Sequence, residues 1–287
     1  MRPLRPWNRR NNLLALGILL AITGGVARAE ALNTLTQKEI ADGWILLFDG
    51  ETTFGWEPAS KADWHVADGA IVVSSGDQGL LATTSEFDNY LLKVEFRHER
   101  ATNSGIFLRT PPVPKDPQSD CYELNIATEE VSPFPTGSFV GRMKGTVPNY
   151  DMDWHGYEIL ADGGHFVIKW DGRTVLDYTD PKPLGRGRIG LQLNAGHVEF
   201  RNIKLKPLGT HSLFNGRDLS GWKVYPGKAS QFSVTPEQEI HVVNGNGQLE
   251  TEKSYADFTL QLEVFSNGRG LNSGIFFRCI QIGRAHV

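Results

Sequence analysis

The sequence predicts an all-β fold, an antiparallel sandwich of jelly-roll type, and three observations predict it. Short apolar-alternating runs follow one another from about residue 64 to 206, with turn signals between them and no helical period. Asp162-Gly163 and Asp171-Gly172 cut the stretch 157–178 into a three-stranded meander. The chain also states its motifs twice. LLFDGETTFGW (46–56) returns as SLFNGRDLSGW (212–222), FDNYLLKVEF (87–96) as YADFTLQLEV (255–264), and NSGIFLR (103–109) as NSGIFFR (272–278). The spacing between equivalents drifts only from 166 (Trp56 to Trp222) to 169 (Asn103 to Asn272), so two tandem copies of one domain are expected, the second truncated.

Taken in order, residues 1–29 carry Arg2, Arg5, Arg9 and Arg10, an apolar run over 13–26, and Ala27-Arg28-Ala29, the pattern of a cleaved signal peptide. The apolar run is shorter than the roughly 20 residues of a spanning helix. A periplasmic or secreted protein, with no membrane contact after cleavage, is therefore expected. Thr34 or Thr36 then offers an N-cap for a short helix over 37–41, ended by Gly43. Strands are expected at 64–66, 70–73, 90–97, 105–109, 122–126, 189–193 and 198–206, and loops at 110–118 and 132–149.

The first domain spans 30–208, with a short linker at 206–209, and the partial second copy 209–280. Half a sandwich leaves edges unpaired, so this copy should not fold stably and should be cut back rapidly to about Leu208. The last residues, 281–287, back-translate to a stretch resembling a sequencing adapter and are set aside as an artefact.

Composition narrows the function. A net charge of -4, 40% hydrophobic and 22% charged residues, and no dense basic run beyond the N-terminus fit a globular chain without a nucleic-acid partner. Cys121 and Cys279 sit at non-equivalent places in the two copies, which argues against a disulfide framework. His98, His155 and His197 form no short-spaced ligand pair. No cofactor and no protein-held transition metal is expected, although Ca²⁺ or another divalent cation could sit among Asp49, Asp68 and Asp77 in Gly-rich turns, where such residues usually only shape the turn. Trp56, Trp64, Trp154 and Trp170 fit core burial better than sugar stacking.

Alternation sorts each strand into two faces. Leu92, Val94 and Phe96 oppose Lys93, Glu95 and Arg97; Ile106 and Leu108 oppose Phe107 and Arg109; Tyr122, Leu124 and Ile126 oppose Cys121, Glu123 and Asn125; and Ile189, Leu191 and Leu193 oppose Gln192 and Asn194. If these strands are neighbours in one sheet, Glu95, Arg109, Glu123, Asn125 and Gln192 converge. The same alternation also fits an ordinary solvated sheet face. Planar groups capable of bidentate hydrogen bonding, in place of Lys, Thr and Ser, suit sugar hydroxyls better.

TLTQKEIADGWILLFDGETTFGW, NSGIFLR, CYELNI and RGRIGLQLNAGHVEFRNIKLK together resemble the 3-keto-disaccharide hydrolase domain family over 32–208, and again over 209–280. The resemblance implies a concanavalin A-like jelly roll, usually exported, that acts on glycosides whose C3 hydroxyl a partner sugar 3-dehydrogenase has oxidised. It implies Glu123 or Glu95 as the base at C2, Arg109 as oxyanion and substrate clamp, and Asn125, Gln192, Asn194 and Phe107 as substrate-binding groups. Two departures stand out. The family's GYE-x-Q appears as Cys121-Tyr122-Glu123-Leu124-Asn125, and its GLQ-x-HGG places Asn194 where a His is expected. A lectin-like module that binds glycans without turning them over is the competing reading.

Overall fold

The computed structural model describes residues 31–116, 118–148 and 151–278, so the expected signal peptide and the adapter-like end lie outside the described residues. A short helix, α1 (Gln37–Ala41), opens the domain. Thr36 caps it in a reciprocal box: Glu39 N donates to Thr36 Oγ1 at 3.1 Å, and Thr36 N donates to Glu39 Oε2 at 2.9 Å.

Two antiparallel sheets then face each other. The larger runs in the order β11 (Arg173–Thr179), β10 (His165–Trp170), β9 (His155–Asp162), β6 (Tyr90–His98), β13 (Val198–Pro207), β4 (Ala70–Val73), β3 (His65–Ala67), with β1 (Ile45–Leu46) also paired to β13. The smaller runs β2 (Trp56–Pro58), β5 (Gly79–Thr83), β12 (Arg188–Leu193), β7 (Asn103–Thr110), β8 (Tyr122–Ala127). Non-sequential neighbours in both sheets give the jelly-roll sandwich that the alternation predicts.

The core lies between the sheets. Leu92, Val94, Phe96, Ile159, Ile168 and Phe200 come from one side, and Leu81, Ile106, Leu108, Leu124, Ile189 and Leu191 from the other. Trp56 and Trp170 are in this core, Trp64 packs against it, and the Trp154 ring lies under the Arg201 guanidinium at 3.8 Å. Residues 132–148, expected as a loop, carry Phe139, fully buried and bridged to Leu124, so part of the segment lines the edge of β8. The expected linker is shorter than the sequence suggests, because β13 continues through Pro207.

Beyond residue 209 the described residues form two small pairings, β14 (Trp222–Val224) with β17 (Leu249–Thr251) and β15 (Gln231–Val234) with β16 (Ile240–Val243). Phe258, Leu260, Leu262, Val264, Ile275 and Phe276 remain exposed. No helix among the described residues is long and apolar enough to cross a membrane.

Candidate active site

The outward face of the five-stranded sheet is built by register. Phe107 on β7 lies opposite Glu123 on β8 and opposite Gly190 on β12, Gly105 lies opposite Asn125, and Leu80 on β5 lies opposite Gln192. Leu80, Phe107 and Cys121 form a buried apolar floor. Glu123 and Gln192 meet over Gly105, where a Cβ would come within 3.4 Å of Glu123 Cγ and 3.6 Å of Gln192 Oε1. Those are ordinary contacts, and the tighter neighbour of such a Cβ is Leu124 O at 3.1 Å.

Burial pushes the Glu123 carboxyl up to about 7, and a hydrogen bond from Gln192 pulls it partly back. The group therefore changes charge near neutral pH, the range a general base requires. Burial likewise pushes the Cys121 thiol up to about 12, which leaves it protonated and unreactive.

Two of the expected catalytic residues are not on this face. Glu95 stands on β6, in the other sheet, where its carboxylate accepts from Arg201 Nε and Asn202 Nδ2, each at 2.7 Å. Alternation shows which side of a strand a residue occupies, not which sheet receives the strand. Arg109 has φ 52 at an irregularity in the β7–β12 register, which breaks the alternation and turns the side chain away from Phe107. Its guanidinium donates to Asp88 O (3.1 Å), Gly163 O (2.7 Å), Leu184 O (2.6 Å) and Asn89 Oδ1 (3.0 Å), and lies over the Phe166 ring. It is a buried clamp between the sheets and cannot reach a ligand at Glu123.

The expected binding residues divide. Phe107 and Gln192 are on the face beside Glu123. Asn125 is there too, but its Nδ2 donates to Ser132 Oγ and Phe134 O and so anchors the loop that follows β8. Asn194 accepts from Gln78 Nε2 through both its backbone O (3.0 Å) and Oδ1 (2.8 Å), a tether to the segment before β5. Among the candidate cation ligands, Asp49 accepts from the backbone N–H groups of Glu51 and Thr52, the ordinary work of a turn. The described residues hold no group of three or more His, Cys, Asp or Glu side chains placed to hold a metal.

Sequence reasoning missed Gly105 and the Arg188–Glu57 ion pair, 3.1 Å apart at the far end of the same face. Counting back in twos from Gln192 through Gly190 reaches Arg188, so a strand begun at Arg188 instead of residue 189 would have found it.

Two cavities, of about 400 and 210 Å³, open elsewhere, one lined by Arg97, Arg100, Met152, His197 and Glu199, the other by Trp44, Leu91, Lys93, Glu158, Val167 and Lys169. In the first, Glu199 does not suit proton abstraction. Burial raises the Glu199 carboxyl, but the bonds from Arg97 and His197 more than offset it and hold it below the usual range. We place the site on the Glu123 face for its chemistry rather than its volume.

The family described as 3-keto-alpha-glucoside-1,2-lyase-like domain matches this sequence over residues 43–206 and again over 209–286. A 3-keto-disaccharide hydrolase of Bacteroides thetaiotaomicron is 25% identical over 243 residues, covering 63% of this chain and 84% of that one. The solved structure of a candidate glycosyl hydrolase from Parabacteroides distasonis superposes with a TM-score of 0.54 at 20% identity, covering 62% of this chain and 100% of that one, a likeness of fold. A second structure of the same description and organism gives 0.42 at 21% identity, covering 53% and 99%.

Proposed function

The chain belongs to the 3-keto-alpha-glucoside-1,2-lyase-like domain family, a carbohydrate-active, glycosyl-hydrolase-like family, and on that premise we propose that its first domain cleaves 3-keto-glycosides by β-elimination. A ketone at C3 acidifies the C2 proton. The Glu123 carboxylate takes that proton, the electron pair forms an enolate, and collapse of the enolate makes the C1–C2 double bond as the C1–oxygen bond breaks. The leaving oxygen recovers a proton from Glu123 or water, and water then adds to the enone. Gln192 positions the Glu123 carboxylate.

The observation that carries the reading is a buried carboxyl that titrates near 7 beside a neutral amide. Export to the periplasm or medium, through the basic and apolar N-terminus, and supply of substrate by a sugar 3-dehydrogenase complete the proposal. The segment after residue 209 reads as a second copy of the same domain.

One observation favours the alternative of glycan binding without turnover. Asn194 stands where the family pattern has His, and it is spent on Gln78. The test is to incubate the full chain with a 3-keto-glucoside bearing a chromogenic aglycone, beside the unoxidised glucoside, and compare Glu123→Gln. We expect release from the keto substrate alone, lost in the variant. Saturable binding without release would move the assignment to a binding module.

A further inference from the structure

Asparagine followed by glycine is chemically labile, because the unhindered glycine nitrogen can reach the asparagine amide carbon. Four such pairs occur, Asn215-Gly216, Asn244-Gly245, Asn246-Gly247 and Asn267-Gly268, all beyond residue 209. The first domain uses Asp-Gly instead, in pairs beginning at residues 42, 49, 68, 162 and 171, which have no amide to lose. The four amides are held to different degrees. Asn215 Oδ1 accepts from Arg217 N (2.8 Å) and Asp218 N (3.0 Å), and its Nδ2 donates to Asp218 Oδ1 (2.8 Å). Asp49, at the equivalent place in LFDG, accepts the corresponding two backbone bonds from Glu51 and Thr52. Asn244, at φ 63, makes one bond, from Nδ2 to Gln231 Oε1 at 3.2 Å. Asn246 and Asn267 are exposed, and among the described residues neither their side chains nor the nitrogens of Gly247 and Gly268 make a hydrogen bond.

We propose that Asn246 and Asn267 are sites of spontaneous deamidation, and that the rate at each Asn-Gly pair falls with the number of bonds that hold its amide. The glycine nitrogen gives its proton to hydroxide and attacks Cγ. The N–Cγ bond forms, the Cγ–Nδ2 bond breaks, and Nδ2 leaves as ammonia with a proton from water. The succinimide ring then takes up water at either carbonyl, giving aspartate or isoaspartate and adding one negative charge. At Asn215 three bonds must open before the amide carbon can turn towards Gly216 N, which should slow the reaction at least about tenfold. At Asn246 the isoaspartate product places an extra methylene in the main chain between Val243, which ends β16, and Leu249, which begins β17.

The experiment incubates the full chain at mildly alkaline pH with protease inhibitors, in buffer and in guanidinium chloride. Peptides are mapped over time by mass spectrometry, and an isoaspartyl methyltransferase marks isoaspartate. In buffer, Asn246 and Asn267 should convert at least about tenfold faster than Asn215, with Asn244 between them. In guanidinium chloride, where the bonds are gone, Asn215 should close most of that gap. Asp218→Ala, which removes the Nδ2 partner, should speed Asn215 in buffer. Gly268→Ala has room, since its Cβ meets nothing nearer than Leu271 Cβ at 3.8 Å, and should slow Asn267 while leaving Asn246 unchanged. If a variant fails to fold, the wild-type map decides alone. Equal rates at all four pairs in buffer, conversion of Asn215 ahead of Asn246 or Asn267, or no conversion of either through an incubation that converts the unfolded chain would overturn the inference.

Discussion

Ile106 and Ile275 hold the same place in the same motif, and the molecule treats them in opposite ways. Ile106 is 0% exposed in β7, whereas Ile275 is 54% exposed in a stretch without strand structure. NSGIFLR and NSGIFFR differ by one residue, so the difference lies in the neighbours: β7 is paired with β12 on one side and β8 on the other. Other features appear in both regions. The Trp56–Thr83 pairing returns as Trp222–Thr251, and the indole N–H of each Trp donates to a leucine carbonyl, Leu47 at 2.6 Å and Leu213 at 3.0 Å. Arg278, at φ 54, donates to Ala256 O and Asp257 Oδ1 much as Arg109, at φ 52, donates to Asp88 O and Asn89 Oδ1. Turns, a first pairing and the arginine clamp are local properties of this sequence. The sheet face that carries Glu123 is not, because it needs strands distant in the chain.

Hydrogen exchange should break or uphold this contrast most clearly. Amides 105–108 are expected to be protected about a thousandfold or more beyond amides 274–277; similar protection would mean that the second region folds after all. Replacing Arg109 with Met takes the guanidinium donors from three carbonyls, while Asn89 Oδ1 keeps the Gly163 N–H, and should cost at least about 3 kcal/mol in chemical denaturation. The exposed counterpart Arg278→Met should stay within about 0.5 kcal/mol.

Glu123 gives the first region a pH dependence of its own. Because its carboxyl is held near 7, the folded chain keeps a proton that the unfolded chain releases above the ordinary glutamate value of about 4.5. That term therefore destabilises the fold progressively from about pH 4.5 to 7, by roughly 3 kcal/mol in all, and is constant above. Glu123→Gln should flatten this part of the stability curve, and parallel curves for wild type and variant would refute the assignment. In wild type, kcat/KM for the keto substrate should rise with pH and level off above about 7. The smallest expected effect is Ile106→Val, at about 0.5–1.5 kcal/mol, against no measurable change for Ile275→Val.

Much of the fold was legible because alternation is a local signal. The meander after residue 155 and the split of Tyr122, Leu124 and Ile126 from Glu123 and Asn125 both follow from period 2, whereas the strand at 70–73 shows as a short apolar run bounded by turn signals. The strand β5 was not legible: Gly79–Thr83 is buried on both faces and shows no alternation, yet it supplies Leu80 to the floor of the site. Glu123 and Gln192 could be placed on one face from sequence. Glu95 and Arg109 were misplaced for two separate reasons, a strand assigned to the wrong sheet and a single residue of positive φ. Arg109 recurs in the second region as Arg278, and the geometry explains this as recurrence of the clamp.

The clamp also bears on the order in which the chain organises. Arg109 reaches Asp88 across 21 positions, and Arg278 reaches Asp257 across the same 21, whereas Ser104 on β7 meets Gln192 on β12 across 88. Closing the shorter loop costs less chain entropy, so the arginine hook is expected to form early and hold the β7 segment ready while the distant strands arrive. Time-resolved exchange labelling during refolding should find the 88–109 connection protected before the β7–β12 ladder.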